Sequence, residues 1–521
     1  MRSTTGESSS PPALGPVRPR AERTRLLTWL TVTGIGSSLL IMIAASLVRS
    51  SWMYPPVAMP AWGPPWDLGS VHVSPAVVTV ALWIACVLAA VGVAAGLAAV
   101  QRGARLSLRA LLITAALAVV VLTVLLPAGS TDAFDYASYG RIVTLGHSPY
   151  VMTPYDLSQA QNNSFTQSVP TTWQHYVSVY GPLATVEQFL AAKLGGISAA
   201  HIVFWLKLWN SIAFGIVAFV IDRLLRYDPA RRLRAHLLWT INPLLLWDLV
   251  AAGHVDVLAA AAGMLGIVVL GEHTAASRPP MLRVMAAGAL IGAAADIKIN
   301  YALFGLGVAW ALRRSRVAVA AAAAAALVVL VPGYIWFGPP AAKALAARRN
   351  GTSADNFYRF FIGSPQWRTH TAVVAGVVVV VVALLALRRL PPGAEARPAI
   401  RPTLALSAAW LFFWPYQLPW YDAMIICLLV FYPATRLDWL VIGRLAAGTI
   451  PNIPGNPKAP AGVVFATHHV LVVTLAPVAL LLAALGLVWL CLSQRWKLRE
   501  PGEPPGTVPP ENAGLVPSAA S

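Results

Sequence analysis

Residues Ala110 to Tyr150 read ALLITAALAVVVLTVLLPAGSTDAFDYASYGRIVTLGHSPY. The first part, Ala110 to Pro127, is an uncharged apolar run close to the length of a membrane span, roughly 20 residues. The second part carries two carboxylates, Asp132 and Asp135, with Tyr136, Tyr139, Arg141, His147 and Tyr150 around them. If the run spans a bilayer, the carboxylates lie where the chain leaves the lipid. Ionisable groups there are costly unless solvated or paired, so their presence points to function. Similar apolar runs recur from Leu27 to Leu492, continuous rather than alternating. That pattern predicts an all-α polytopic transmembrane helical bundle of about 12–14 spans and excludes a closed β-barrel.

Composition agrees. The chain has 521 residues, 57% of them hydrophobic and 11% charged, against about 25% charged in soluble domains. Its net charge of +18 would suggest nucleic acid in a soluble protein, but the distribution excludes that reading. Arginines gather in alternate connections: Arg18 to Arg25, Arg102 to Arg109, Arg223 to Arg234, Arg278 to Arg283, Arg313 to Arg316, Arg388 to Arg401 and Arg495 to Arg499. The positive-inside rule places these in the cytoplasm. Most acidic residues, among them Asp67, Asp132, Asp135, Asp256, Asp296, Asp355 and Asp422, then fall on the other face. Cys86, Cys427 and Cys491 sit in apolar runs without motif spacing, so neither a disulfide nor a zinc site is expected.

Three segments follow. Residues 1–25 and 493–521, rich in Pro with Ser, Arg or Gly, read as disordered cytoplasmic tails around a membrane domain over 26–492. Ala128 to Ala199 is the largest connection outside the membrane, an extracytoplasmic loop of the length that tends to be functional. Its TTWQHYVSVYGPL stretch, with Trp173, Tyr176 and Tyr180, reads as a short helix on the membrane surface. One span is expected over Ala235 to Val250, a break at DIKIN, and two short segments between Ala423 and Ile450.

Each candidate group has a plainer reading beside it. Asp132 and Asp135, three apart, would share a helical face, and a carboxylate there can take a proton from a sugar hydroxyl. Asp132 could instead cap a helix. In AAGHVDV, His254 and Asp256 could bind a sugar, hold a metal or cap. Two ligands indicate no metal by themselves, so a divalent ion stays open and no cofactor is implied. Lys298 in AAADIKIN could meet a phosphate, pair with Asp296 or snorkel. The loop with Arg348 and Arg349 breaks the positive-inside pattern, as a phosphate-facing or a solvated helix would. Trp414, Trp420 and Tyr421 could stack on sugar or prenyl chain, or belong to the interfacial aromatic belt.

These motifs carry a resemblance. D-x-x-x-Y at Asp135 to Tyr139, G-R at Gly140 and Arg141, G-H-S-P-Y ending at Tyr150, Y-G-P from Tyr180, G-H-V-D ending at Asp256, D-I-K ending at Lys298 and P-W-Y at Pro419 to Tyr421 cover most of Ala110 to Tyr421. The chain resembles GT-C integral-membrane glycosyltransferases, and more narrowly the actinobacterial polyprenol-phosphate-mannose-dependent α-1,6-mannosyltransferases. The resemblance implies a sugar donor on a polyprenyl phosphate, a lipid-anchored mannan acceptor and inversion, within lipomannan and lipoarabinomannan assembly. Asp135 would be the base and Asp132 its assistant. Lys298, and more weakly Arg141, would face the phosphate, and Tyr139, Tyr150, Tyr180, His254, Asp256, Trp420 and Tyr421 would line the substrate site. The enzyme would sit in the plasma membrane with its site on the extracytoplasmic face. The alternatives are another polyprenyl-linked sugar, glucose or arabinofuranose, and a lipid-linked sugar flippase. No internal repeat of the transporter kind is evident. Oligomeric state is not legible.

Overall fold

A computed structural model describes residues 17–49, 52, 57–69, 71–161, 169, 173–271, 279–347, 351–361, 365–391, 397–454 and 462–496. Among the described residues the chain is helical, apart from one isolated bridge between Trp66 and Leu125. In lipid every backbone polar group must be satisfied internally, and helices built from apolar runs do this. Among the described residues six helices are long and apolar enough to cross a membrane: Ala21–Leu47, Pro75–Gln101, Ala199–Leu224, Arg316–Phe337, His370–Arg389 and Gly462–Ser493. A bent pair, Pro229–Ala251 with Asp256–Leu270, makes up to seven. The chain is a multi-pass membrane protein.

In chain order, α1 is Val17–Leu47, α2 Pro75–Gln101, α3 Leu108–Val124, α4 Asp132–Thr144, α5 Pro154–Gln161, α6 Pro182–Gly195 and α7 Ala199–Leu224. Then come α8 Pro229–Leu238, α9 Asp256–Leu270, α10 Met281–Ile297, α11 Ala302–Leu312, α12 Arg316–Phe337, α13 Pro339–Ala347, α14 Pro365–Arg389 and α15 Ile400–Phe413. The last are α16 Ala423–Leu429, α17 Leu437–Thr449 and α18 Gly462–Ser493. Ser107, Ser198 and Ser315 begin α3, α7 and α12, each hydroxyl accepting the N–H three residues on. α10 packs directly on α12, because Gly288 and Gly292 lie against the backbone of Ala322 and Ala326.

Several short helices have one end at a common region. α3 runs into the Asp132 segment, α15 into Trp414, and α11 and α16 start beside Lys298 and Asp422. Two short helices, α16 and α17, occupy the 423–450 region. The span expected over Ala235 to Val250 is instead broken. α8 ends at Leu238, Asn242 caps Leu244 N–H, and a π-turn covers Leu246–Ala251 before a 115° bend into α9. Pro243 supplies no N–H and cannot continue the helix from α8.

The surface helix expected through Trp173 to Tyr180 is not formed. A turn at 173–175 leads to extended backbone, and helix resumes at Pro182. The Ser178 hydroxyl takes the Tyr180 N–H, and proline disfavours a helical residue before it. At the N-terminus, helix begins at Val17, inside the stretch read as a tail, because Ala, Glu, Arg and Leu there are good helix formers. At the other end Trp496 is buried and its carbonyl accepts the Arg436 N–H, so the chain stays packed past 493. The rest of both tails, 1–16 and 497–521, and the Arg348–Arg349 pair lie outside the described residues.

Candidate active site

The site is built on α4. The Ser130 hydroxyl accepts the Asp132 N–H at 3.1 Å and starts the helix. Asp132, Asp135 and Tyr139 then follow at i, i+3 and i+7 on one face. That face forms one side of a cavity of about 640 Å³. Its other walls come from the 173–180 segment, from Lys298 and α11, and from Trp410 to Tyr421. Among the described residues lining it, Lys298 is the only cation.

The two carboxylates differ. Asp135 is buried and its Oδ1 has no hydrogen-bond partner among the described residues. Burial, and then the neighbouring Asp132 charge, push its pKa well above the usual carboxylate range. Asp132 is half-buried, and burial raises its pKa to about 6. The rise is limited by the Lys298 charge and the Ser130 hydroxyl. Lys298 and Ser130 thus favour the ionised form of Asp132, and no such partner offsets burial at Asp135.

The G-H-V-D turn stands behind Asp132. Gly253 adopts φ +74°, and its carbonyl accepts from Asn210 Nδ2 at 2.8 Å. Lys207, on the same α7, closes the end of α3 by donating to the Leu122 and Leu125 carbonyls, both at 2.6 Å. His254 Nδ1 lies 3.4 Å from the Tyr136 hydroxyl and 3.7 Å from Asp132 Oδ2. Its ring stacks on Trp420, with centroids 3.5 Å apart and planes 14° from parallel. The Tyr136 hydroxyl also meets that of Tyr180 at 3.1 Å.

Lys298 pairs with Asp256 at 2.6 Å, not with Asp296. The sequence neighbour is lost because Lys298 leaves α10 with extended backbone, φ −149° and ψ 117°, which turns its side chain away from that helix. Its ammonium lies 3.9 Å from the Tyr421 ring centroid and 5.9 Å from that of Tyr180. Asp296 instead caps α6, accepting the Leu183 N–H at 3.2 Å, while Gly181 packs on its backbone carbonyl. D-I-K and Y-G-P are thus one junction.

The sequence candidates fall into three groups. Asp132, Asp135, Tyr139, Tyr180, Lys298, Trp420 and Tyr421 line the cavity. His254 and Asp256 stand directly behind, His254 3.7 Å from Asp132 and Asp256 paired with Lys298. Tyr150 and Arg141 are not among the lining residues. Tyr150 supports the Tyr180 carbonyl at 2.9 Å and meets Thr185 at 2.8 Å. Arg141 lies near the far end of α4, with Nη1 3.4 Å from the Thr144 hydroxyl. Sequence reasoning passed over Arg444, which is buried, bonds Asp422 and donates to Gln417 Oε1 at 2.9 Å, fixing the P-W-Y-D turn. Its signal was available: a lone arginine in LVIGRLAAG. The described residues bring together no group of three or more His, Cys, Asp or Glu side chains suited to a metal.

A family model described as alpha-(1->6)-mannopyranosyltransferase, N-terminal domain, matches residues 31–314, more than half of the chain. The chain belongs to this family. The matched part contains α4, the G-H-V-D turn and Lys298, but not P-W-Y. The chain is also 31% identical over 150 residues to a probable alpha-(1->6)-mannopyranosyltransferase of Mycolicibacterium smegmatis. That match covers 29% of this chain and only 26% of the relative. Among solved structures, ArnT from Cupriavidus metallidurans in the apo state matches at 15% identity and TM-score 0.36, over 70% of this chain and 72% of that one. The same protein bound to undecaprenyl phosphate matches at 16% identity and TM-score 0.39, over 75% and 73%.

Proposed function

We propose that this protein transfers mannose from a polyprenyl-phosphate mannose to a lipid-anchored mannan, forming α-1,6 linkages with inversion at the anomeric carbon. Family membership supports the sugar and the linkage. The observation that carries the reading is the cavity itself, where two carboxylates and one lysine meet an apolar flank of Ile299, Leu303, Leu306, Trp410 and Trp414. A lipid phosphate bearing a sugar needs both characters: a cation at the phosphate and apolar surface for the chain.

In this mechanism Asp132 takes the proton of an acceptor hydroxyl while its oxygen attacks the anomeric carbon and the bond to phosphate breaks. Asp132 suits the base better than the expected Asp135, because a base works best with a pKa near the operating pH and must be ionised. Asp135, buried beside it on the same face of α4, orients. The phosphate gathers charge as it leaves, and Lys298 meets it. An ammonium has three donors, so the bond to Asp256 leaves two free to turn toward a ligand.

The test is to incubate purified protein with radiolabelled polyprenyl-phosphate mannose and a short α-1,6-mannoside. Label should appear in a lengthened mannoside. No transfer from this donor, with transfer from a glucose or arabinofuranose counterpart, would overturn the sugar assignment. Donor translocation across a vesicle without transfer would overturn the enzyme.

A further inference from the structure

The segment Trp173 to Tyr180 enters the cavity from outside the membrane-spanning helices, and its role is unassigned by the family match. Trp173 and Tyr176 both line the cavity, with ring centroids 5.7 Å apart and planes at 61°. Tyr176 is 45% exposed. Trp173 packs against the hydrophobic core, while the two residues between the rings are polar: Gln174 Nε2 donates to the Val169 carbonyl at 2.8 Å, and the His175 ring lies 4.4 Å from that of Tyr155. This setting differs from the apolar flank formed by α11 and α15.

The segment is also tied to the carboxylates. The Tyr139 hydroxyl donates to the Tyr176 carbonyl at 3.0 Å. Tyr139 rides on the same face of α4 as Asp132 and Asp135. The aromatic pair and the acidic pair are therefore held in fixed register by one helix. A hydroxyl delivered to Asp132 belongs to a sugar whose remaining rings must rest somewhere beside that face. Large, rigid rings with an apolar face and a polar tip provide such a rest at low entropy cost.

We propose that Trp173 and Tyr176 form the acceptor subsite, a stacking platform for the saccharide that supplies the attacking hydroxyl. This rests on the transferase reading above and names the acceptor's place within it. Stacking uses ring faces, so Trp173→Phe and Tyr176→Phe should keep most acceptor affinity. Trp173→Ala and Tyr176→Ala should each raise the acceptor KM about tenfold, a loss of about 1.4 kcal/mol, and leave the donor KM in place.

The experiment measures both KM values for wild type and the four variants in liposomes, with a short α-1,6-mannoside as the acceptor probe. The unchanged donor KM doubles as the control for folding. An unmoved acceptor KM in both alanine variants would overturn the platform and leave the two rings as interfacial aromatics. A raised donor KM instead would assign this wall to the lipid donor, also against the proposal. Calorimetric titration of the mannoside without donor separates the two hypotheses. If wild type binds mannoside and Trp173→Ala does not, the platform stands even where no transfer is detected. If transfer is robust while the platform variants bind normally, the function stands and the platform falls.

Discussion

At the scale of single residues, the site turns on which of two neighbouring carboxylates is charged. Asp132→Asn should lower the transfer rate about a hundredfold to ten-thousandfold at saturating donor, the usual loss of a general base. Asp135→Asn, which keeps the size and most of the hydrogen bonding of an orienting group, should cost far less. The reverse order, measured as initial rates at matched expression, would return the base role to Asp135. The same assignment fixes a pH dependence. The active form of Asp132 is its anion, so activity should rise with pH through about 6 and be lost below it. In Asp132→Asn that limb should vanish from the residual rate. Lys298→Ala should mainly raise the donor KM, and unchanged donor dependence would leave the lysine as a structural partner of Asp256. The residue types were legible from sequence, because each is a charge stranded beside an apolar run. Their partners were not. Asp296 lies two residues from Lys298 and Asp256 lies 42 away, and only the folded backbone brings the second one close.

At the scale of elements, α4 is the part whose placement matters most, and Gly140 sets it. A Cβ at Gly140 would lie 2.1 Å from the Gln188 carbonyl oxygen of α6. Gly140→Ala must push the two helices apart, a cost of about 1–3 kcal/mol for overpacking. It should lower the thermal midpoint in detergent, and an unchanged midpoint would mean the α4–α6 contact is looser than described. Helix existence was readable from the apolar runs. Helix interruption was harder to read. Pro243 marks the end of α8, yet the π-turn and the 115° bend beyond it depend on Asn242 capping Leu244 and on tertiary neighbours. The segment at Trp173 misled for a related reason: Ser178 and Pro182 make a turn and an extended approach where aromatic spacing alone suggests a helix.

At the scale of the whole molecule, the helices that leave the cavity reach arginines at their far ends: α3 begins at Leu108 beside Arg109, α11 stops at Arg313, and α15 begins beside Arg401. By the positive-inside rule we propose that the cavity opens at the extracytoplasmic end. The three cysteines are buried, so introduced ones can be read cleanly. Gln159→Cys in intact cells should react with an impermeant thiol reagent, and Tyr227→Cys should react only after lysis. The opposite pattern would invert the orientation. The lengths of these helices carry a further consequence. α3 has 17 residues and α15 has 14, which at 1.5 Å per residue rise roughly 25 and 21 Å. The hydrocarbon layer is about 30 Å deep. If their arginine ends are held at one interface, these helices fall short of the other, which would recess the cavity below the lipid headgroups. A donor phosphate of the kind proposed would then have to sink to meet Lys298, and catalysis would become a function of bilayer thickness. In vesicles of increasing acyl-chain length, turnover should be greatest in thin membranes and decline in thick ones, as the headgroup plane draws the substrate away from its lysine.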